Sequence, residues 1–324
     1  MTTGLKRWKR RLDVNEVTTK QFGCKADDST DDSSALQKFF DYVGTTGATG
    51  IISSGVHKIT TALTLTSTKQ INIKSEPGSA IWVYAAIQAL TISTTKSCNV
   101  YGLSVNPRVN GASGIRFNGV GILVTRGIDV GSPNTTDATG FIGGLHYHNC
   151  AYTKTYDFWD MALSGNALVI SSDGESSVSH DIFAPNIFGA NTGLLVDTYG
   201  SVGAGVEGVR VFGGEIVTNN YGVYIRNTTT YTPPLFKFSG CHINANVCIH
   251  ADHVTHVVLS AVNLYCKIKW LELVSCGECS IIGGEFVCVG VGGVNPISLE
   301  STTSIDITGL YAGYPTADHL IALS

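Results

Sequence analysis

Five short segments near the C-terminus place a polar or aromatic residue at the same point of a repeated pattern. The five residues are Glu215, His242, Asn263, Glu285 and Tyr311. Each stands beside an apolar residue, so the alternation of side chains along a strand predicts that all five point outward in one line. An imidazole next to a carboxylate suits general acid–base catalysis, whereas exposed strand faces are normally polar without any chemistry. Glu215, His242 and Glu285 are therefore candidate catalytic residues, with an ordinary polar surface as the alternative.

A second cluster combines aromatic rings with acids between residues 146 and 160. Its carboxylates are Asp157 and Asp160, and its rings include Tyr147 and Trp159. The stretch interrupts the repeat, so we expect an inserted loop, and loops on a rigid scaffold often carry function. Asp157 and Asp160 are further candidate catalytic residues. The alternative is a loop that packs its rings on a neighbouring subunit.

The acid-rich stretch at residues 27–32 raises the question of a metal site. It precedes apolar residues at helical spacing, and acids favour the positive end of a helix dipole, so a helix start is the simpler interpretation. The glycine and the final glutamate of a calcium-binding EF-hand loop are missing. The histidines at 250, 253 and 256 and the cysteines near 276 fall in different repeats, which argues against zinc. The sequence therefore predicts no metal and no cofactor.

The repeat predicts the strands that position these candidate residues. The five segments recur every 21 to 27 residues, and each is followed by a second apolar run. Repeats of this length are typical of solenoids. A β-sandwich or propeller is the rival, but the spacing of the segments is too long for the simple alternation of hairpin-linked strands. The pattern predicts an all-β parallel β-helix in which coils stack about 4.8 Å apart.

The amino-acid composition restricts the classes of function that the chain can have. The chain has 324 residues, 14% of them charged, and a mean hydropathy of +0.16, which indicates extensive burial inside a solenoid or between subunits. The net charge of −4 argues against a nucleic-acid partner. We find no run of apolar residues long enough for a membrane span, and no signal peptide. The nine cysteines are expected to be reduced and buried.

The opening segment, residues 17–67, carries a family resemblance. Phe22-Gly23-Cys24-Lys25-Ala26-Asp27, then Thr30-Asp31-Asp32-Ser33, match the pattern "dFGAkgDGxtDdT" that opens pectate-lyase-like right-handed parallel β-helices. Ser54-Gly55-Val56-His57 matches the later "PxGxY" part less closely. The pattern has alanine where this chain has Cys24, and glycine where it has Asp28. The resemblance implies a strand and a helix that covers the first coil, followed by a β-helix over residues 68–324.

Within that superfamily the chain looks like bacteriophage tailspikes and capsule depolymerases. The resemblance implies a homotrimer that is assembled in the host cytoplasm, belongs to the virion as part of the phage tail, and binds bacterial capsule or O-antigen polysaccharide on its outer face. On this view, four aromatic residues are candidate glycan-binding residues: Tyr147, Trp159, Tyr224 and Tyr311.

The N-terminal arm, residues 1–16, is basic. Six of its residues form a compact cationic segment around one aromatic ring: Lys6, Arg7, Trp8, Lys9, Arg10 and Arg11. One interpretation is an attachment peptide that docks on another tail protein, with Trp8 as its apolar anchor. The alternative is a disordered terminus.

Two functions stay open at this point: a depolymerase of either hydrolase or lyase type, and a non-catalytic adhesin or structural spike. If coils stack as expected, Glu215 and Glu285 are about 14 Å apart. That separation exceeds the ~6.5–9.5 Å between the carboxyl groups of an inverting glycosidase, unless a loop brings in Glu207, Asp197 or Asp252.

Overall fold

The computed structural model describes residues 15–131, 142–161, 164–200, 205–230, 232–289, 296–313 and 321–323. The predicted attachment segment, Lys6 to Arg11, lies outside these residues. Among them, no helix is both long and apolar enough to cross a membrane.

The opening segment contains β1 (Glu16–Thr18), a 3-10 turn (Thr19–Phe22), β2 (Asp27–Asp31) and α1 (Ser33–Thr46). The predicted helix is confirmed: its apolar positions, Leu36, Phe39, Phe40 and Val43, are all buried. Gly47 ends the helix at φ 77°, and its N–H donates to the Val43 carbonyl. This left-handed residue is a common helix terminus because glycine has no Cβ to clash.

The acids before α1 act in two ways. No acid lies in the first turn of the helix. Asp31 Oδ1 accepts the N–H of Ser33, the first helical residue, at 3.0 Å, whereas the side chain of Asp32, at the N-cap position, makes no capping hydrogen bond. Its carboxylate instead accepts the backbone N–H groups of Lys25 and Ala26 at 2.8 and 2.9 Å. Asp32 therefore folds the preceding loop rather than the helix.

All the strands, β1 and β2 included, form three parallel sheets. Along the chain, successive strands belong to sheet 1, sheet 2 and sheet 3 in turn. Sheet 1 contains β1, β3 (Thr49–Ile52), β6 (Ile71–Ser75), β9 (Ser97–Tyr101), β12 (Ile122–Arg126), β15 (Thr153–Tyr156), β18 (Ser177–Phe183), β21 (Val206–Phe212), β24 (Pro234–Ser239), the first parts of β26 (Thr255–Val274) and β27 (Glu278–Cys288), and β29 (Ser304–Thr308). Sheet 2 contains β2, β4 (Gly55–Ile59), β7 (Ser79–Val83), β10 (Ser104–Pro107), β13 (Asp129–Gly131), β16 (Trp159–Met161), β19 (Asn186–Phe188), β22 (Glu215–Val217), the first part of β25 (His242–Asp252), later parts of β26 and β27, and β30 (Tyr311–Gly313). Sheet 3 contains β5 (Leu63–Ser67), β8 (Gln88–Thr94), β11 (Ser113–Asn118), β14 (Gly143–His148), β17 (Asn166–Ser172), β20 (Thr192–Thr198), β23 (Tyr221–Asn227), the ends of β25 and β26, β28 (Ile297–Glu300) and β31 (Ile321–Leu323).

Every pairing between these strands is parallel and joins successive coils, so the predicted parallel β-helix is confirmed. The register predicted for the C-terminal repeats is confirmed as well. Their apolar positions pair in one continuous row, in which Ile216, Ile243, Leu264 and Phe286 are buried and Ala312 is exposed in the last of the five repeats. Helix α1 packs on β5 and takes the place of a sheet 3 strand in the first coil, where it covers the end of the solenoid.

The core is the apolar interior of the coils, to which each strand contributes alternate residues. All nine cysteines are free and buried, as predicted. The histidines at 253 and 256 form ion pairs with Asp252 and Glu278 near the surface.

The corners between sheets 1 and 2 use left-handed residues. Gly127, Gly213 and Gly240 have φ angles of 61°, 64° and 65° at equivalent corners. Asp157 occupies the same corner at φ 51°. Its N–H donates to the Phe183 carbonyl in the next coil, as the glycine N–H groups do to theirs.

One interpretation of the sequence needs correction here. Residues 152–160 are not an inserted loop, because β15 and β16 pair in regular register. The corner between them was not recognised in the sequence because Asp157 stands there in place of the usual glycine. Two other glycines, Gly193 and Gly222, lie inside β20 and β23. An added Cβ there would approach Ile216 or Ile243 Cγ2 to 2.3 Å, so close packing between coils requires glycine.

Candidate functional site

The five residues that the sequence placed in one line lie in one line. Glu215 pairs with His242, His242 with Asn263, Asn263 with Glu285, and Glu285 with Tyr311. The line continues toward the N-terminus through four further residues of sheet 2. We call the whole row the outer column: Ser104, Asp129, Trp159, Asn186, Glu215, His242, Asn263, Glu285 and Tyr311. With about 4.8 Å per coil, it is about 38 Å long.

Two aromatic side chains of the outer column face solvent. Trp159 is 45% exposed and Tyr311 is 66% exposed. Trp159 packs against Phe188 with ring centroids 5.8 Å apart, which holds the indole at the surface. Sequence reasoning assigned Trp159 to a loop and missed its place in the row. The signal that could have placed Trp159 is its spacing, because the residue two positions after each left-handed corner residue belongs to the outer column.

Glu215 and His242 face the same side at neighbouring positions, but their side chains form no hydrogen bond or ion pair with each other within the described part of the chain. Glu215 is exposed and His242 is partly exposed. Both groups therefore remain available to a ligand that lies along the column.

Asp129 is a functional candidate that the sequence did not reveal. It lies beside Trp159 in the column and accepts a hydrogen bond from Ser104 Oγ at 2.9 Å. Burial raises the pKa of this carboxyl above its usual value, and the Ser104 bond opposes that rise. A carboxyl with a raised pKa next to an exposed aromatic ring has the properties of a general acid.

The fold is shared with solved structures of bacterial and phage proteins. The surface adhesin PfbA of Streptococcus pneumoniae superposes with a TM-score of 0.61 at 9% identity, over 95% of this chain and 93% of that one. The family 28 exopolygalacturonase of Yersinia enterocolitica gives 0.52 at 10% identity, over 96% and 78%. The enzymatically active domain of bacteriophage CBA120 tailspike protein 2 gives 0.50 at 12% identity, over 97% of this chain and 46% of that one.

The chain has the parallel β-helix fold of these structures. No protein-family model and no curated protein matches this β-helix by sequence. At the identities above, the structural likeness shows the fold alone, and the site must be argued from the chain's own residues.

Asp157 and Asp160, two of the predicted catalytic residues, lie in different environments. Asp157 is exposed at its corner, two residues before Trp159. Asp160 pairs with Val130 and Ile187 in the inward row and is fully buried. The two acids therefore face opposite sides of the wall, and Asp160 does not belong to the outer surface.

The remaining predicted glycan-binding residues also lie away from the outer column. Tyr147 is fully buried inside the coil, where its hydroxyl is bonded to Thr125 and Thr155 Oγ1 at 2.9 and 2.8 Å. Its ring is 0% exposed and has no face for a ligand. Tyr224 lies on sheet 3, stacked on Tyr221 and in edge contact with His250.

A polar cluster on sheet 3 contains the two histidines that flank Tyr147. His146 Nε2 and His148 Nδ1 lie 2.7 and 2.9 Å from Ser171 Oγ, and His148 Nε2 is 3.4 Å from a carboxylate oxygen of Asp173. Burial and the nearby Arg116 lower the pKa of both histidines, that of His146 to about 3. Ser171 is only 2% exposed, so we interpret the cluster as a buried neutral network that fixes the wall.

A surface cleft of about 520 Å³ lies at the corner between sheets 3 and 1. Its lining includes Lys69, Lys96, Ile122 and the exposed ring of Tyr152. These residues come from four successive coils, which is why no local sequence pattern reveals the cleft. Two amino groups beside an aromatic ring suit an anionic group, and the cleft is distinct from the outer column.

Proposed function

We propose that this β-helix is a tailspike-type receptor-binding protein that holds bacterial surface polysaccharide along its outer column. The observation that carries the proposal is the in-register row of hydrogen-bonding side chains between two exposed aromatic rings, Trp159 and Tyr311. An extended polymer of repeating hydroxyl groups can meet one donor or acceptor per coil, while aromatic side chains offer apolar surface to sugar rings. The fold likeness to an adhesin and to a tailspike domain agrees with this role.

The test is direct binding to purified capsular polysaccharides and O-antigens. Electrophoresis of the full chain in gels that contain each polysaccharide should show retardation by one or a few of them. The outer-column variants His242→Ala and Trp159→Ala should weaken this retardation while they keep the circular dichroism spectrum of the native chain. Equal mobility in every gel would overturn the proposal.

Cleavage of the bound polysaccharide is a second candidate function, favoured by one carboxylate arrangement. Asp129, with its raised pKa, lies one coil below the corner residue Asp157. One coil step combined with two residues along the chain puts their Cα atoms about 8 Å apart. At that Cα separation the two carboxyl groups can come within the ~6.5–9.5 Å that separates the acid and the base of an inverting glycosidase. Glu215 and Glu285, in contrast, are three coils apart and about 14 Å from each other.

Reducing-end release separates cleavage from binding. If the chain is a hydrolase, Asp129→Asn and Asp157→Asn should each abolish release from a polysaccharide that the variant still binds. If wild-type protein binds a polysaccharide and releases no ends, the chain acts as an adhesin. Glu278→Gln is the matched control, because it removes an exposed carboxylate from sheet 1, outside the outer column.

As part of the same proposal, three copies of the chain associate side by side. The trimer is assembled in the host cytoplasm and becomes part of the virion. Its basic N-terminal arms dock on another tail protein. Exposed apolar side chains in the C-terminal coils, among them Ile268, Ile282 and Val289, support association. Sedimentation equilibrium should give three times the 34.3 kDa chain mass. A monomer at micromolar concentration would contradict the trimer and leave the binding proposal to its own test.

A further inference from the structure

A buried cluster in the opening segment is not used by the proposed function. It brings together Cys24, which follows the 3-10 turn, Asp32, which precedes α1, and His57 in β4. One sulfur, one carboxylate oxygen and one imidazole nitrogen lie within 4.8 Å of one another. All three residues are buried. Thiolate, imidazole and carboxylate are the three ligand types that zinc takes in proteins.

The distances suit a tetrahedral ion. Asp32 Oδ2 and His57 Nδ1 are 3.2 Å apart. Two ligand atoms about 2.0–2.1 Å from a tetrahedral zinc lie about 3.4 Å from each other, so these two atoms need almost no movement. The sulfur of Cys24 lies within 4.8 Å of an Asp32 carboxylate oxygen and of a His57 ring nitrogen. A tetrahedral zinc brings sulfur to about 3.5 Å from each nitrogen or oxygen ligand, so the sulfur needs to close by about 1.3 Å at most.

The surroundings orient the imidazole as a metal ligand. His57 Nε2 lies 3.0 Å from the Ser53 carbonyl oxygen. A ring N–H that donates to a backbone carbonyl fixes the tautomer and leaves the lone pair on Nδ1, which faces Asp32 and Cys24. The backbone N–H groups of Lys25 and Ala26 hold the Asp32 carboxylate in place at 2.8 and 2.9 Å.

The ligand set also suits a divalent ion. A thiolate, a carboxylate and a neutral imidazole around a divalent cation give a site of zero net charge, so no buried charge is left uncompensated. Three protein ligands leave a fourth position for water.

We propose that Cys24, Asp32 and His57 bind a structural Zn²⁺ ion that ties the turn before β2, the start of α1 and strand β4 together. The site would lock the covering helix onto the first complete coil. The opening pattern of the superfamily has alanine at the position of Cys24, so this site distinguishes the present chain from that pattern. The sequence alone favoured a structural role for these acids, because it gave no sign that Cys24 and His57 converge on Asp32.

The test uses the full chain produced in zinc-supplemented medium and dialysed against metal-free buffer. Elemental analysis should give about one zinc per chain in wild type, and less than one tenth of that in Cys24→Ala. Cys98→Ala is the matched control, because it removes another fully buried thiol and should keep the zinc. Exchange with Co²⁺ should give a thiolate-to-cobalt absorption band in wild type and in Cys98→Ala only.

A chelator adds a readout of the structural role. It should lower the thermal unfolding midpoint of wild type and leave that of Cys24→Ala unchanged, because Cys24→Ala has no ion to lose. Substoichiometric zinc in wild type, or equal zinc in wild type and Cys24→Ala, would overturn the proposal. These outcomes do not depend on whether the chain binds polysaccharide.

Discussion

Glu215 and His242 occupy directly opposed positions on neighbouring strands of sheet 2, and both side chains face outward without bonding to each other. This carboxylate and this imidazole lie one coil apart, and both can bond to a ligand. They form the centre of a surface that can bind a polymer. The arrangement is useful only if a ligand lies along the column, and the predictions below test that condition first.

Removing the imidazole from the column should weaken polysaccharide binding. We expect His242→Ala to lower the affinity about tenfold, because a lost hydrogen bond to a charged or polar partner costs about 1–2 kcal/mol. Isothermal titration calorimetry with a retained polysaccharide measures the change. His250→Ala is the matched control, since His250 also faces outward beside a glutamate but lies on sheet 3. A loss confined to His250→Ala, or to Lys96→Gln in the cleft, would place the ligand elsewhere.

The indole of Trp159 should contribute to the same binding. With 45% of the side chain exposed, Trp159→Ala should leave the fold intact. We expect about tenfold weaker binding, since an aromatic contact contributes about 0.5–1.5 kcal/mol. Tyr101→Ala removes an exposed ring from sheet 1 and should bind as wild type does. Equal affinities for Trp159→Ala and wild type would show that the ring is not part of the site.

Neighbouring glycines at one corner should respond very differently to substitution. An added Cβ at Gly213, at φ 64°, meets nothing within 4 Å, whereas one at Gly214 would lie 2.3 Å from the Pro185 carbonyl oxygen. Gly213→Asn should therefore change the free energy of unfolding by less than about 1 kcal/mol, because asparagine tolerates left-handed backbone. Gly214→Ala should cost about 3 kcal/mol or more through strain and overpacking. Denaturant unfolding compares the two, and similar losses would contradict the corner geometry.

Stability should fall in mild acid because of His180. This histidine is fully buried between Thr153 Oγ1 and Ser177 Oγ, at 2.9 and 3.2 Å, and burial lowers its pKa to about 4. Between the unfolded value near 6.5 and about 4, the unfolded chain binds a proton that the folded chain does not, so stability is full above about pH 6.5 and declines as the pH drops through this window. At pH 5 the loss from this group should be about 2 kcal/mol.

His180→Gln isolates that contribution. The variant should show a smaller drop in the free energy of unfolding between pH 7 and pH 5 than wild type, even if it is less stable at both. His146 contributes a slope in the same direction to both proteins, since its pKa is lowered to about 3. Identical slopes would mean that His180 does not titrate as its burial requires.

The sequence by itself determined the repeat, the inward row from Ile216 to Phe286, the outward row from Glu215 to Tyr311 and the helix that covers the first coil. Period and alternation encode these features locally. Tertiary structure alone decided that Trp159 joins the column, because the corner residue Asp157 resets the alternation and is not a glycine that would mark the corner. It also decided that Tyr147 points inward, because the register of β14 is set by its pairing with β11 and β17. It alone brought Cys24, Asp32 and His57 together, since turns of unequal length separate residues in sequence that stacking places side by side.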